Sequence, residues 1–259
     1  MLELSGVVLP FGVTARGVGA GADVGAADGV GTGGAEDGGS ERSWSHAVGA
    51  DAAGSGGAQA GIDLVVRGPE RIALLGANGT GKTTLVNVIV GKLGAVRGEV
   101  RLHVPVRLLP QRLDVLDDAD SVAAAAGRLA PAATPGEVRT SLARFGLRGR
   151  EADRPVGSLS GGERLRATLA AIMLAGEPPQ LLILDEPTNS LDLAAVEHLV
   201  SALSGFRGAL IAVSHDWMFL REIGVTRWLE LTPTGLADLP EEPPETTPPS
   251  APKPRQSLT

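Results

Sequence analysis

Three short apolar runs constrain the fold of this 259-residue chain more than any other feature. They are Arg71–Leu75, Leu181–Leu184 and Ala209–Val213, and each continues directly into a polar or Gly-rich segment. Uninterrupted runs of this length are typical of strands buried on both faces, as in a parallel sheet covered by helices. Because ligands bind beyond the carboxyl ends of such strands, the residues that follow the three runs are the first candidates for a functional site.

The first run is followed by a phosphate-binding pattern. Gly76-Ala-Asn-Gly-Thr-Gly-Lys-Thr83 matches G-x-x-x-x-G-K-[ST] between a predicted strand and a predicted helix, Thr84–Val90. The glycines let consecutive N–H groups point at phosphate oxygens, and the helix N-terminus adds partial positive charge. We predict that Lys82 reaches the β- and γ-phosphates and that the Thr83 hydroxyl binds Mg²⁺. The alternative is a Gly-rich turn that only packs a helix on a strand.

The other two runs end in residues suited to phosphate chemistry. Asp185 and Glu186 follow the second run, and Ser214 and His215 follow the third. A carboxylate at the end of a buried strand needs a cation, so Asp185 is predicted to face the metal ion. Glu186 is predicted to accept a proton from an attacking water, and His215 to hydrogen-bond the γ-phosphate. The alternative for the two acids is a solvated loop end.

A second predicted anion site lies in Leu159-Ser-Gly-Gly-Glu163. The S-x-x-E spacing predicts a capping box at a helix start, and the apolar residues that follow share one helix face: Leu165, Leu169, Ile172 and Met173. Two glycines in a first turn are poor helix formers, but they leave the N–H groups open to another molecule.

Composition divides the chain into parts. The segment 12–61 holds 16 of the 36 glycines and is predicted to be a disordered insertion after a first strand in 1–11. Residues 62–236 form one predicted domain, and 237–259 form a Pro-rich tail, predicted to be extended. The absence of cysteine excludes disulfides, thiol nucleophiles and Cys-ligated metals. A net charge of −7 and no apolar run long enough to span a bilayer favour a cytoplasmic protein.

The phosphate loop, LSGGE and the Asp-Glu strand, in this order, resemble the ATP-binding cassette (ABC) ATPases. The resemblance implies an α/β P-loop NTPase fold, a mostly parallel sheet flanked by helices with an inserted helical subdomain at about 113–160. It also implies that two cassettes face head to tail around Mg²⁺ and ATP. The implied ATP contacts in the cassette's own loop are Gly76, Ala77, Asn78, Gly79, Thr80, Gly81, Lys82, Thr83 and Thr84.

The same resemblance assigns roles to other positions. Ser160, Gly161 and Gly162 would contact the ATP of the second cassette, and Asp192 would lie near the dimer seam. Thr83, Gln111 and Asp185 would hold Mg²⁺, while Glu186, His215 and Gln111 would be the catalytic residues. An aromatic residue usually stacks on adenine in this family, and neither Phe11 nor Trp44 lies at the usual distance before Gly76.

Longer phrases resemble one subfamily. LSGGERLRATLA, PPQLLILDEPTNSLD and VSHDWMFL look like the ABC-F proteins, which act on ribosomes and include antibiotic-resistance factors. Those proteins carry two cassettes, whereas this chain has one. The implied function is an ABC-F-like ATPase with a second cassette and the ribosome as partners. The alternatives are the ATP-hydrolysing subunit of a membrane transporter and a degenerate cassette that binds ATP without turnover.

The segment 137–166 contains seven arginines and four acids. Such a surface can touch RNA, but a solvated helical face is the alternative interpretation.

Overall fold

The computed structural model describes residues 1–10, 42–45 (main chain only), 61–189, 191–240 and 242. Within these ranges the chain forms ten strands and six helices. In chain order they are β1 (Leu2–Val8), β2 (Arg42–Ser45), β3 (Ile62–Val66), β4 (Arg71–Leu75), α1 (Lys82–Ile89), β5 (Arg97–Leu102), β6 (Val106–Leu109), α2 (Val122–Leu129), α3 (Pro135–Arg144), α4 (Gly161–Leu174), β7 (Leu181–Asp185), α5 (Leu193–Ser204), β8 (Ala209–Val213), α6 (Trp217–Glu222), β9 (Arg227–Thr232) and β10 (Gly235–Leu239). Among these residues, no helix has the length and apolar character needed to cross a bilayer.

The larger sheet has six strands in the order β10-β9-β4-β8-β7-β6. The three apolar runs of the sequence are its central strands β4, β8 and β7, which pair in parallel as predicted. Ile211 of β8 lies between Ile72 of β4 and Ile183 of β7, and all three side chains are buried. This register brings the carboxyl ends of the three strands to one edge, where the predicted site residues follow.

The smaller sheet is antiparallel and has the order β2-β5-β1-β3. Strand β1 lies within the segment 1–11 predicted as a first strand, and it pairs with β3 and β5. Buried side chains of β1, β3 and β5 join those of the larger sheet and of α1 in one apolar core. This packing holds the end of β1 against the phosphate loop, because Leu9 Cδ1 lies 3.2 Å from the position of a Cβ on Gly81.

Two predicted domain limits differ from the structure. Residues 42–45, inside the predicted disordered insertion 12–61, form β2, which pairs with β5 from Arg42↔Leu102 to Ser45↔Glu99. This strand lies in a short stretch without glycine, where an extended chain loses less entropy on ordering. Strand β10 pairs with β9 as far as Leu239↔Trp228, so the domain continues beyond the predicted limit at 236. The rest of 12–61 and most of the Pro-rich tail lie outside the described residues.

The segment predicted as a helical subdomain contains α2, α3 and two 3-10 turns, and it packs against α4. Val138 and Leu142 of α3 are buried in this layer, as their helical spacing predicts, and Phe145 packs at its edge. On α4 the predicted apolar face is buried at Leu165, Leu169 and Ile172. Helix α4 therefore has one face on the larger sheet and another on α2 and α3.

Candidate functional site

The phosphate loop connects β4 to α1, and its glycines permit its curvature. Positive φ angles occur at Gly76 (142°), Gly79 (85°) and Gly81 (100°). A Cβ on Gly76 would lie 2.4 Å from the carbonyl oxygen of Leu231, so only glycine fits there. Thr80 Oγ1 donates to the carbonyl of Ala77 at 2.9 Å and stabilises the turn. Helix α1 begins at Lys82, two residues before the predicted start, because Gly81 takes the cap position in the left-handed conformation.

Lys82 lies inside the loop with its side chain 8% exposed. Its Nζ donates to the carbonyl oxygens of Gly76 at 2.6 Å and Ala77 at 3.1 Å. Burial lowers the pKa of Lys82, and the nearby carboxylates of Glu186 and Asp185 oppose that shift. The ammonium is therefore aimed at the concave side of the loop and partly desolvated, which strengthens its attraction for an anion.

Asp185 is the last residue of β7 and is only 4% exposed. Thr83 Oγ1 donates to its Oδ1 at 3.4 Å, so α1 and β7 bring two oxygen ligands together. Burial raises the pKa of Asp185, while the Thr83 hydroxyl and Lys82 hold it down. A carboxylate placed this way is stabilised by a divalent cation more than by the surrounding protein.

Glu186 follows Asp185 and has a φ of +47°, unusual for a residue with a side chain. Its N–H donates to the carbonyl of Val213 at 2.8 Å, which ties the turn to β8. His215 Nε2 lies 3.3 Å from Glu186 Oε1, the histidine being 53% exposed and the glutamate 13%. Burial raises the pKa of the Glu186 carboxyl, and the charges of His215 and Lys82 counteract it. Such left-handed geometry costs about 1–3 kcal/mol and often occurs at functional sites.

Most of these groups open onto one cavity of about 560 Å³, and Asp185 lies behind its lining, in contact with Thr83. The predicted site residues that line it are Asn78, Gly79, Gly81, Lys82, Thr83, Thr84, Gln111, Glu186 and His215. Sequence reasoning missed Leu9 and Pro10 at the end of β1, and Asn189, which also line it. Asn189 could have been found from its place just after the acidic strand end. Leu9 and Pro10 carry no comparable signal, because only the packing of the small sheet brings them here.

Helix α4 begins at the LSGGE segment, as predicted. Ser160 Oγ accepts from the N–H of Glu163 at 3.2 Å, and the Glu163 carboxylate accepts from the N–H of Ser160 at 2.8 Å. Arg154 pairs with Glu163 at 2.7 Å, and these contacts lower the pKa of the Glu163 carboxyl. The capping box is thus real, and Ser160 and Gly161 remain exposed at the helix start.

Asp192 caps α5, its Oδ1 accepting from the N–H of Ala195 at 2.8 Å. A Cβ on Gly162 would lie 2.8 Å from Ala195 Cβ, so the first turns of α4 and α5 are in contact. None of Ser160, Gly161, Gly162 and Asp192 lines the cavity of about 560 Å³. The structure therefore brings the predicted residues together in two groups rather than one.

The first group fits Mg²⁺ together with a phosphate. Mg²⁺ usually takes one or two carboxylates and keeps its other positions for water and phosphate oxygens. Asp185 and Thr83 supply such oxygens side by side, and Gln111 faces the same cavity. Among the described residues there is no cluster of three His, Cys or acidic side chains that would hold a metal ion alone. The donor set therefore suits a metal ion that arrives with a nucleotide.

A family model decides the identity of this fold. The model described as "ABC transporter" matches residues 60–189. The chain belongs to this ABC family. The P-loop α/β fold with an inserted helical layer, predicted from the motifs, is thereby confirmed.

Two curated relatives are similar to this chain in sequence. The chain is 42% identical over 154 residues to "Probable ATP-binding protein YheS" of Haemophilus influenzae, an alignment that covers 58% of this chain and 24% of that protein. It is 38% identical over 162 residues to "ATP-binding cassette sub-family F member 3" of Mus musculus, covering 61% and 23% respectively. The matched part of the chain thus spans about a quarter of the length of these curated relatives, one of which is named as a member of sub-family F.

A solved ABC transporter in an inward-facing conformation has the same fold. The superposition has a TM-score of 0.59 at 20% identity and covers 70% of this chain and 75% of that one. At this identity the match establishes the shared fold and nothing further.

The buried Asp185 carboxylate leads to a stability prediction. Because its folded pKa is raised above the unfolded value of 3.8, the folded state binds the proton more tightly, and stability falls as the pH rises through the folded pKa. Asp185→Asn removes this cost, so we expect the nucleotide-free variant to melt at a higher temperature than the parent at pH 7.5.

Thermal denaturation from pH 4 to pH 8, without nucleotide or Mg²⁺, checks this. The difference should shrink as the pH falls toward 4, because the folded Asp185, with its raised pKa, takes up its proton at higher pH than the unfolded one. Asp114→Asn, an exposed carboxylate, is the matched control and should not change the melting temperature. Equal melting temperatures of the parent and Asp185→Asn at pH 7.5 would contradict the account.

Proposed function

We propose that this cassette binds and hydrolyses Mg-ATP in a head-to-tail pair of cassettes. The observation that carries the proposal is the Glu186–His215 pair, which opens onto the same cavity as the phosphate loop. A degenerate cassette would not need to hold a half-buried glutamate in a strained conformation at this point.

In this proposal the loop residues bind the triphosphate. The N–H groups of Gly79, Gly81 and the first turn of α1 surround the phosphates, and Lys82 neutralises them. Thr83, Asp185 and Gln111 hold Mg²⁺, which when bound supplies charge that stabilises the transferring phosphoryl group. The adenine ring lies against Leu9 and Pro10, the apolar part of the cavity lining. Phe11, the next residue in the sequence, lies outside the described residues.

Glu186 is the proposed general base. Burial raises the pKa of its carboxyl above that of an exposed glutamate, which makes the ionised form a stronger base. The Glu186 carboxylate accepts the proton of the attacking water, while His215 orients that carboxylate from 3.3 Å and faces the γ-phosphate. The phosphoryl transition state is loose, so positioning and charge provide most of the catalysis.

The second cassette completes the site. Ser160, Gly161 and Gly162 present an exposed helix N-terminus, which attracts phosphate. They do not line the cavity of their own chain. In the proposed dimer they cover the ATP bound by the other cassette, and Asp192, at the adjacent start of α5, lies at the seam. A second copy of this chain is the simplest partner.

The proposed target is the ribosome, in the cytosol. The similarity to a sub-family F protein supports this choice. The surface after Gln111 also supports it, because Asp114, Asp117 and Asp118 are exposed there. Such an acidic surface suits a polar partner better than the apolar helix of a membrane subunit. The transporter subunit remains the second candidate, favoured by the fold of the solved transporter.

Sedimentation of cell extracts tests the target. Glu186→Gln should retain ATP, so we expect it to sediment with ribosomes in Mg-ATP and to be released by high salt, as phosphate contacts are. The double variant Lys82→Ala/Glu186→Gln is the matched control and should stay in the supernatant. Recovery of Glu186→Gln in the membrane pellet with an integral membrane protein, and not with ribosomes, would support the transporter instead.

A further inference from the structure

A second, larger cavity lies at the opposite end of the main sheet. Its volume is about 1070 Å³, and its lining includes Leu181 and Ala209, the first residues of β7 and β8. The nucleotide site follows the last residues of the same strands. A five-residue strand spans roughly 13 Å, so the two cavities are separate sites.

The lining of this cavity, hereafter the arginine cavity, is positively charged. It contains Arg144, Arg166 and Arg207 and no Asp or Glu, although the chain as a whole carries a net charge of −7. In the part of the chain that the structure describes, the side chains of these three arginines have no ion pair or hydrogen bond. Other arginines of the segment 137–166 are paired with acids: Arg139 with Asp153, Arg154 with Glu163 and Arg164 with Asp118. Of the four arginines of that segment that have no acid partner among the described residues, Arg144 and Arg166 line the cavity, whereas Arg148 and Arg150 do not.

The interior of the arginine cavity is apolar and aromatic. Phe145, Phe206 and Met173 line it. Phe206 Cζ lies 2.6 Å from the position of a Cβ on Gly208, so the absence of a side chain there makes room for the ring. In the same way, Arg166 Nη1 lies 2.8 Å from the position of a Cβ on Gly146. Two glycines therefore allow an aromatic ring and a guanidinium to lie close to the main chain.

We infer that the arginine cavity binds a nucleotide unit, with its base against the phenylalanines and its phosphate on the arginines. Aromatic rings stack on bases of any sequence, and arginine matches phosphate oxygens in paired hydrogen bonds. Pockets of about 300–1,000 Å³ hold ligands of this size. The inference concerns a site away from ATP hydrolysis and does not rest on the proposed ribosomal role.

An acidic peptide is the competing occupant, and the geometry favours it less. Peptides that bind through their main chain add to a sheet edge or lie in a long groove, whereas this site is a concavity between α3, α4, α5 and the strand starts. A phosphate monoester also carries up to two charges shared among the oxygens of one phosphorus, which allows several guanidiniums to converge on it. The nucleotide unit can be free or part of a single-stranded RNA, because both present the same base and phosphate.

Calorimetric titration of the purified full chain tests the inference, with the parent and every variant carrying Lys82→Ala so that the phosphate loop contributes little to binding of the probes. The probes are uridine monophosphate, pentauridylate RNA and pentaglutamate. The test variant is Arg144→Gln/Arg166→Gln/Arg207→Gln, and the matched control is Lys92→Gln/Arg97→Gln/Arg150→Gln, which removes equal charge from exposed residues outside the cavity. Ser201→Phe fills the cavity without changing charge.

We expect the uridine probes to bind the parent and the control alike, and the triple cavity variant at least about tenfold more weakly. Ser201→Phe should weaken binding to a similar degree, and it keeps the test valid if the triple variant does not fold. Binding of both uridine probes indicates a free or RNA-borne ligand, and binding of pentauridylate alone indicates RNA. The inference would be overturned if neither uridine probe bound, or if pentaglutamate bound in their place. It would also be overturned if the cavity and control variants lost the same affinity for the uridine probes.

Discussion

Glu186→Gln is expected to lower the rate of ATP hydrolysis by about 10²–10⁴-fold and to leave Mg-ATP binding intact. The amide keeps the size of the side chain but cannot take a proton from water. Binding is retained because the phosphate loop, not the Glu186 carboxylate, holds the triphosphate. Steady-state phosphate release and calorimetric ATP titration measure the two quantities.

Glu197→Gln, an exposed change on α5, serves as the control and should hydrolyse ATP at the parental rate. If Glu186→Gln also hydrolysed ATP at that rate, Glu186 would not be the base. If the parent itself showed no hydrolysis at saturating Mg-ATP, the chain would be a degenerate cassette that binds ATP without turnover.

Lys82→Ala is expected to weaken ATP binding by about 10–100-fold, the loss that follows from removing charged hydrogen bonds of roughly 1.5–3 kcal/mol. The Lys82 ammonium is held on the concave side of the loop by the carbonyls of Gly76 and Ala77, where the triphosphate would lie. Calorimetric titration with Mg-ATP measures the affinity. Lys92→Ala removes an exposed ammonium just beyond α1 and should bind like the parent; equal affinity in Lys82→Ala would remove Lys82 from the site.

Local sequence patterns predicted the phosphate-binding half of the site because the residues that form each of its parts are contiguous in sequence. The turn from Gly76 to Thr83 needs glycines at fixed positions, and the strand that ends at Asp185 needs an unbroken apolar run. Both requirements can be read without knowledge of the fold. The neighbours β4, β8 and β7 then follow from the rule that such runs form a parallel sheet.

Features made by distant residues could not be predicted in this way. Leu9 and Pro10 reach the nucleotide cavity only because β1 pairs with β3 and β5, far along the chain. Strand β2 forms by pairing with the edge of β5, and no property of residues 42–45 predicts that pairing. The left-handed conformation of Glu186 has no sequence signal either, since glycine usually takes such positions.

The charged residues of the segment 137–166 also show what sequence patterns could not predict. The sequence counts seven arginines there but does not say which are paired. Folding brings Asp118 to Arg164 and leaves Arg144 and Arg166 at a cavity, joined by Arg207 from after α5. The arginines of this segment thus divide into three that pair with acids, two at the cavity, and Arg148 and Arg150, which do neither.

Recovery of ATP hydrolysis on mixing two inactive variants tests the composite site most directly. Lys82→Ala impairs the phosphate loop, whereas Gly161→Asp places a carboxylate at the start of α4, where it favours the helix but repels phosphate. In a mixed dimer one site carries both changes and the other carries neither. The account predicts that each variant alone is inactive and that an equal mixture recovers up to about a quarter of the parental activity, since half of the dimers have one intact site. No recovery in the mixture, or full activity of Gly161→Asp alone, would contradict a site shared between two copies of this chain.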